Sequence, residues 1–428
     1  MLSIAVPMTL AYLTTPLLGL VDTAVVGQLG DAALLGGLAA GAIVFDVVFT
    51  TFNFLRSGTT GLVAQAFGRG DEREVQAVFW RAFAIAVLSG LALILLAPLV
   101  AAGGAWFIAG EARVTEAMRL YIGIRLLAAP MSLINYAVLG YVLGRGEGTL
   151  ALALQLILNG ANIVLSIWLG LVLGWGVEGV AWGTVAGETI AAIAGMAIVI
   201  RRFGAAPRLS RMDILDIGAL TTMLSVNRDI MIRSFVLLAA FALLAREGAQ
   251  MGTLTLAANA VLMNFFLVAG YFLDGFATAA EQIAGRAVGA RHAQAFHRGV
   301  RLSSLWGFGL AVVSSLFLLA FGGDLIALIT TSADVRAAAE AYLPWAALTA
   351  VSGVLAFQMD GVFIGATWSR DMRNMMLLSF AIYVAALLSL GHWFGNSGLW
   401  AALHIFLIVR GVSLAIILPR RARQTFAA

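Results

Sequence analysis

The chain contains no cysteine and no lysine, only four histidines and seven prolines, and charged residues at just 11% of its 428 positions. Each shortage excludes something. Without cysteine there is no disulfide, iron–sulfur or thiolate chemistry. The histidines show no HxxH-type spacing, so no metal and no cofactor is expected. A soluble globular chain is about 25% charged; this one is 61% hydrophobic, with a mean hydropathy of +0.97. Its net charge of +4 rests wholly on arginines, which fall mostly in short connections, so nucleic acid is not an expected partner. An integral-membrane enzyme would need clustered His and Asp inside the spans, or a DDxxD-type metal motif, and neither is visible. No enzymatic role is expected.

What is present is a succession of apolar runs of about 20 residues, each long enough to cross a ~30 Å hydrocarbon core as a helix. A transmembrane β-barrel would instead show ~10-residue alternating segments, which are absent. Breaks at Gly, Pro and charged residues delimit twelve spans. Six lie at about 2–28, 34–64, 77–102, 117–144, 149–173 and 177–201. Six more lie at about 213–245, 252–285, 296–321, 337–366, 372–394 and 398–419. The expected fold class is all-α integral membrane, with six-helix lobes at 1–201 and 213–428 joined by a polar cytoplasmic linker at 202–212. The run at Met1 has no basic region or cleavage site before it, so it reads as a span and not as a cleavable signal. Its abrupt start leads us to expect a few cytoplasmic residues upstream.

Arginine placement orients the spans. Connections after even-numbered spans hold Arg69, Arg73, Arg145, Arg201, Arg202, Arg208, Arg211, Arg286, Arg291, Arg298, Arg370 and Arg373, and the tail adds Arg420, Arg421 and Arg423. Connections after odd-numbered spans hold only Arg113, Arg119, Arg246 and Arg336, beside Asp31, Glu111, Asp324 and Asp334. The positive-inside rule then puts both termini in the cytoplasm, and a bacterial-type inner membrane is the expected location.

The halves echo one another. Gly140 and Gly144 close the fourth span, and Gly361 and Gly365 close the tenth, 221 residues later. At the same offset the second span ends in Ala64 to Gly68 and the eighth in Gly285 to Gly289, while Gly179 and Gly398 match two residues short of it. Six spans per repeat is an even number, so the repeats are parallel, and transporters commonly bind substrate between such halves. The repeat, with its unequal polar content, disfavours a channel.

Polar residues inside the spans are few and patterned. Asp22 stands six residues after Pro16 in an otherwise apolar run. A carboxylate there costs several kcal/mol unless it is neutralised, hydrated or functional. Pro16 lacks an N–H and clashes one turn back, so a kink or break, and hence a hinge, is expected beside the acid. The fifth span carries Gln155, Asn159, Asn162 and Ser166 on one helical face, which suggests a wet cavity wall. Interhelical hydrogen bonding is the structural alternative. The sixth span adds Thr184 and Glu188, and the fourth holds Arg125, Pro130 and Asn135. The second carries Asp46, Thr50, Asn53 and Ser57, with Arg56 at the margin. In the other half, Asp229 and Arg233 stand four apart and could pair with each other. Asp274, Glu281 and Asp360 are secondary candidates for the coupling acid, and Arg410 could neutralise one of the acids or hold an anion.

These residues resemble the multidrug and toxic compound extrusion (MATE) transporters, of the DinF-like branch. The family marks are Ala5-Val6-Pro7 with Val21-Asp22-Thr23 and Gly27, Gly58 through Gln65 with Gly68, Asn162-Ile163, and Gly179 through Thr184. The DinF-like marks are Asn227-Arg228-Asp229, Leu273 through Phe276 with Ala280-Glu281, and Phe357 through Gly361 with Arg373-Asn374. The resemblance implies two six-helix lobes exporting small organic molecules in exchange for H⁺ or Na⁺. It makes Asp22 the coupling carboxylate, with polar neighbours Asn162, Thr184 and Asn135. Alternatives within transport are a citrate-like organic-anion exporter, drawing on Arg56, Arg228 and Arg410, and a lipid-linked sugar flippase. The expected partners are a small-molecule substrate, the coupling ion and the lipid bilayer, with a monomer as the default.

One departure matters. Many members carry an acid four residues after the fifth-helix asparagine, where this chain has Ser166. The acid that Na⁺-coupled relatives carry in the seventh helix has no match either. A hard cation wants several oxygens and more charge than one carboxylate supplies, so H⁺ is the expected ion. Restoring the acid with Ser166→Asp should therefore change the pH or Na⁺ dependence of transport while leaving the fold intact. Identical dependence in mutant and wild type would mean that positions 22 and 166 do not share a site.

Overall fold

The computed structural model describes residues 1–204 and 209–427, so Pro207 and Arg208 of the expected linker lie outside the described residues. No strand occurs among the described residues. The first half is built of α1 (Leu2–Gly27), α2 (Ala32–Thr51), α3 (Phe54–Gly68), α4 (Glu72–Leu95), α5 (Ala97–Ile108), α6 (Ala112–Leu127), α7 (Ala129–Gly144), α8 (Gly148–Ile167) and α9 (Gly176–Phe203). A π-helical turn, Trp168–Val172, extends α8. The second half holds a short α10 (Arg211–Ile214), then α11 (Ile217–Gln250), α12 (Thr253–Gly289), α13 (Ala293–Ile329), α14 (Ala333–Gly365) and α15 (Ser369–Phe426).

Among the described residues, nine helices are long and apolar enough to cross a membrane, ten if α6 and α7 count as one bent span. Two further crossings complete the expected twelve. α11 is 34 residues long and carries Asp229 and Arg233 inside it. α15 has 58 residues, about 87 Å at the helical rise, and turns at Gly395, whose φ of 57° and ψ of −135° suit glycine alone. Other breaks follow proline. Pro98 sits in the first turn of α5 and Pro130 in the first turn of α7, where a missing N–H is harmless to the new helix. Pro16 behaves differently: α1 is helical from Leu2 to Gly27 without a break.

By internal contacts the chain forms two units, Leu10–Leu224, and Ser225–Ala428 with Met1–Thr9. The opening turns of α1 therefore belong with the second unit, where a side chain at Gly275 of α12 would strike Thr9 and the Ala5 carbonyl. The core of that unit gathers Leu262, Phe266, Ala346, Tyr383, Leu399, Trp400 and Phe406. Met223, at the start of α11, packs in the other unit against Ala82 and Ala137.

The repeated glycines have one physical cause in both units. A Cβ at Gly140 of α7 would meet the Arg56 carbonyl of α3, and at Gly144 the Thr60 carbonyl. A Cβ at Gly361 of α14 would strike the Ala277 carbonyl of α12, and at Gly365 the Glu281 carbonyl. All four partners keep the 221-residue offset. The two helix pairs are the same close crossing made twice, which small residues allow in a membrane.

Gly365→Ala and Gly144→Ala should each destabilise the protein by about 1–3 kcal/mol, because the obstacle is backbone and cannot swing aside. A Cβ at Gly309 of α13 would meet nothing, so Gly309→Ala should be neutral or stabilising. Thermal unfolding in detergent checks all three.

Candidate functional site

In the Leu10–Leu224 unit, α9 packs on α8 through a glycine at every fourth position. A Cβ at Gly179 would meet the backbone of Leu169 and Gly170, at Gly183 that of Ser166, and at Gly187 that of Asn162. The polar stripe of α8 is thereby held close to α9, while its side chains reach α1. Asn159 Nδ2 donates to Thr14 Oγ1 of α1 at 2.6 Å, and Gln155 Nε2 donates to Asn159 Oδ1 at 3.3 Å. Ser166 Oγ donates to Asn162 Oδ1 at 3.1 Å and lies against the carboxyl of Asp22. Asp22 is 7% exposed, and its Oδ1 is buried with no hydrogen-bond partner. The helical spacing that grouped these four residues thus brings Ser166 to the acid, with Asn162 bonded to Ser166. Thr184 turns its hydroxyl to the Val180 carbonyl of its own helix at 3.1 Å.

A second group converges at the bend between α6 and α7, which meet at 53°. Arg125 occupies the last turn of α6; Ser132 and Asn135 lie in the opening turns of α7. The Arg125 guanidinium stacks 3.9 Å over the Phe45 ring of α2, donates from Nη1 to Tyr121 Oη at 2.6 Å, and places Nη2 3.6 Å from Glu188 Oε1. Ser132 donates to the other oxygen of Glu188, and Asn135 Nδ2 donates to its backbone carbonyl at 2.9 Å. The charge of Arg125 also acts on Asp22 and Asp46. Sequence reasoning had noted Arg125 and Asp46 without giving them a place in the site. Pro130 was the one signal that the fourth span turns here.

The Ser225–Ala428 unit handles its charges differently. Asp360 of α14 is clamped by Arg233 of α11 and by Arg410 of α15, the latter through Nη2 at 2.5 Å. Arg410 also lies over the Phe357 ring, 5.7 Å from its centroid. The expected pairing of Asp229 with Arg233 does not occur. Asp229 Oδ1 accepts from Arg373 Nη1 at 2.7 Å and Oδ2 from Ser369 Oγ at 3.1 Å. Partners on neighbouring helices override the i,i+4 spacing because they bury the charges with better hydrogen bonds. Asp274 is half-buried and acts electrostatically on Arg410, and Glu281 is buried on α12 with its backbone carbonyl against Gly365. A groove of about 530 Å³ is lined by Phe308, Trp345, Leu348, His404 and Ile408 among others. Both ring nitrogens of His404 are engaged, with Ser352 Oγ and the Trp345 carbonyl. Pro16, the expected hinge, is exposed on α1.

The two acid sites should respond oppositely to amide substitution. Asp360→Asn leaves two buried guanidiniums facing each other and should cost about 3–5 kcal/mol. Asp22→Asn breaks no direct ion pair and should change stability by less than about 1 kcal/mol. Denaturation of both variants in detergent measures the difference.

A family description, MatE, matches residues 7–168 and 230–388. Among characterised sequences, DNA damage-inducible protein F of Escherichia coli (strain K12) is 37% identical over 430 residues, covering 98% of this chain and 92% of its own. The multidrug resistance protein PmpM of Pseudomonas aeruginosa is 24% identical, covering 99% and 91%. Among solved structures, an outward-facing multidrug resistance MATE family transporter of the MOP superfamily superposes with a TM-score of 0.90. It is 17% identical and is covered to 96% of its length by all of this chain.

Proposed function

The chain belongs to the MatE family of multi-pass membrane transporters, and from that premise we propose that it exports small organic molecules across the cytoplasmic membrane in exchange for protons, with Asp22 carrying the proton. One observation carries the reading. Asp22 is a buried carboxyl whose Oδ1 has no hydrogen-bond partner and which lies against the uncharged Ser166 hydroxyl. An acid so placed is not built for static stability, and intramembrane carboxyls of this kind mark proton pathways. Ser166 in place of a second carboxylate supplies too little charge for a bound Na⁺. The substrate class follows the relative whose name is multidrug resistance protein.

The steps follow from charge. With Asp22 ionised, the polar face formed by Gln155, Asn159 and Asn162 holds substrate taken from the cytoplasm. Protonation from outside removes the charge, α1 flexes at Pro16, and substrate affinity falls. Loss of the proton to the cytoplasm resets the site, both termini lying on that side as the arginines indicate. A second reading, export of organic anions, draws on the two arginines gathered at Asp360.

The test is accumulation of cationic dyes and of organic anions by inverted vesicles under an imposed ΔpH or ΔNa⁺. Asp22→Asn should express and insert normally, yet lose ΔpH-driven accumulation down to background. A variant that still concentrates dye at the wild-type rate removes Asp22 from the role. Drive by ΔNa⁺ alone removes the proton.

A further inference from the structure

We propose that Arg125 is the positioning residue of the coupling site: a single counter-ion that exchanges between Glu188 and Asp22 as Asp22 gains and loses its proton. This rests on the assignment of the proton to Asp22.

The argument begins with a count of charges. Three acids, Asp22 of α1, Asp46 of α2 and Glu188 of α9, feel the charge of one guanidinium. The other titratable or charged groups around the cluster are Tyr121 of α6, Tyr136 of α7 and, acting on Tyr136, Arg56 of α3. One cation cannot neutralise three carboxylates, so whichever acid it serves is the one kept ionised at least cost.

The geometry shows a cation served incompletely. Arg125 Nη2 reaches Glu188 Oε1 at 3.6 Å, beyond hydrogen-bond length. Its Nε–H is buried with no acceptor, and Asp22 Oδ1 is buried with no donor. These two orphans are complementary, and a buried unmade hydrogen bond is costly to either group. Glu188 does not depend on the arginine for its place, since Ser132 and Asn135 bind its carboxyl and its backbone. The guanidinium rests on the flat face of Phe45. A cation is attracted to the face of a ring as a whole, so it can turn there without losing its seat.

Two arrangements follow. With Asp22 protonated, Arg125 leans to Glu188, as in this structure. With Asp22 ionised, the guanidinium turns to it and Glu188 keeps only the Ser132 hydroxyl.

The test reads Asp22 directly. Purified full-length protein is titrated by difference infrared spectroscopy, following the protonated-carboxyl C=O band that Asp22→Asn abolishes. The pH profile of ΔpH-driven ethidium uptake is measured on the same variants in proteoliposomes. Glu188→Gln releases Arg125 to Asp22 and should move the midpoint of the band and of uptake to more acid pH by about one unit. Arg125→Gln should move both the opposite way, and the double variant should follow Arg125→Gln. Arg125→Lys keeps the charge and should fall between Arg125→Gln and wild type. If Arg125→Gln does not fold, Glu188→Gln and Arg125→Lys still decide. Shifts of the two single variants in the same direction, or an Asp22 midpoint indifferent to Glu188→Gln, refute the exchange and leave the proton on Asp22. Normal ΔpH-driven uptake by Asp22→Asn refutes the assignment beneath it.

Discussion

A charge inside hydrocarbon must be neutralised, hydrated or put to use, and most of this structure's particular features follow from that constraint. Asp360 shows the first solution, with two arginines on one carboxylate. Asp229 shows it again, with Arg373 and Ser369 from α15. Asp22 shows the last. Its neighbours are a serine hydroxyl and the charge of Arg125, and its Oδ1 has no hydrogen-bond partner. Stability and the proton-carrying role proposed for Asp22 are opposite demands on a carboxyl.

Much of this was readable from the sequence because membranes simplify the code. Span length and glycine spacing each report one physical requirement with little interference from the other. The 221-residue offset held down to the carbonyls that the glycines abut. The spacing that put Asn162 and Ser166 on one face of α8 leaves them bonded to each other, with Ser166 against Asp22. What resisted reading was anything set by a change of direction. The break between α6 and α7 turns Arg125 toward α9 and α2, and no periodicity encodes a 53° bend. Pro130 marked where the span could turn, but not what the turn would aim. Pro16 shows the converse, a proline inside an unbroken helix. Local spacing also failed where tertiary partners compete: Asp229 and Arg233 sit one turn apart, yet each is claimed by another helix.

The serine at position 166 serves both the packing of α8 and the charge balance beside Asp22. Its backbone and its Oγ both face Gly183, and the Oγ donates to Asn162. Its side chain sets how many negative charges stand beside Asp22. A carboxylate there would sit next to another buried acid and demand a cation or a shared proton. A hydroxyl demands neither, and it leaves Arg125 as the nearby source of positive charge.

The two units also divide their labour along the sequence offset. Carried forward by 221 residues, Asp22, Arg125, Asn162 and Ser166 fall at Leu243, Ala346, Tyr383 and Leu387. All four of these belong to the apolar core of the Ser225–Ala428 unit or pack against it. Tyr383 is the one polar survivor, and its hydroxyl is tied to the Ala240 carbonyl at 3.0 Å. At these four positions one repeat therefore carries polar and charged side chains where the other carries core packing. If Asp22 carries the proton, as proposed, its change of charge falls where Arg125 and Ser166 stand, and the positions that match these three in the other repeat offer nothing that titrates.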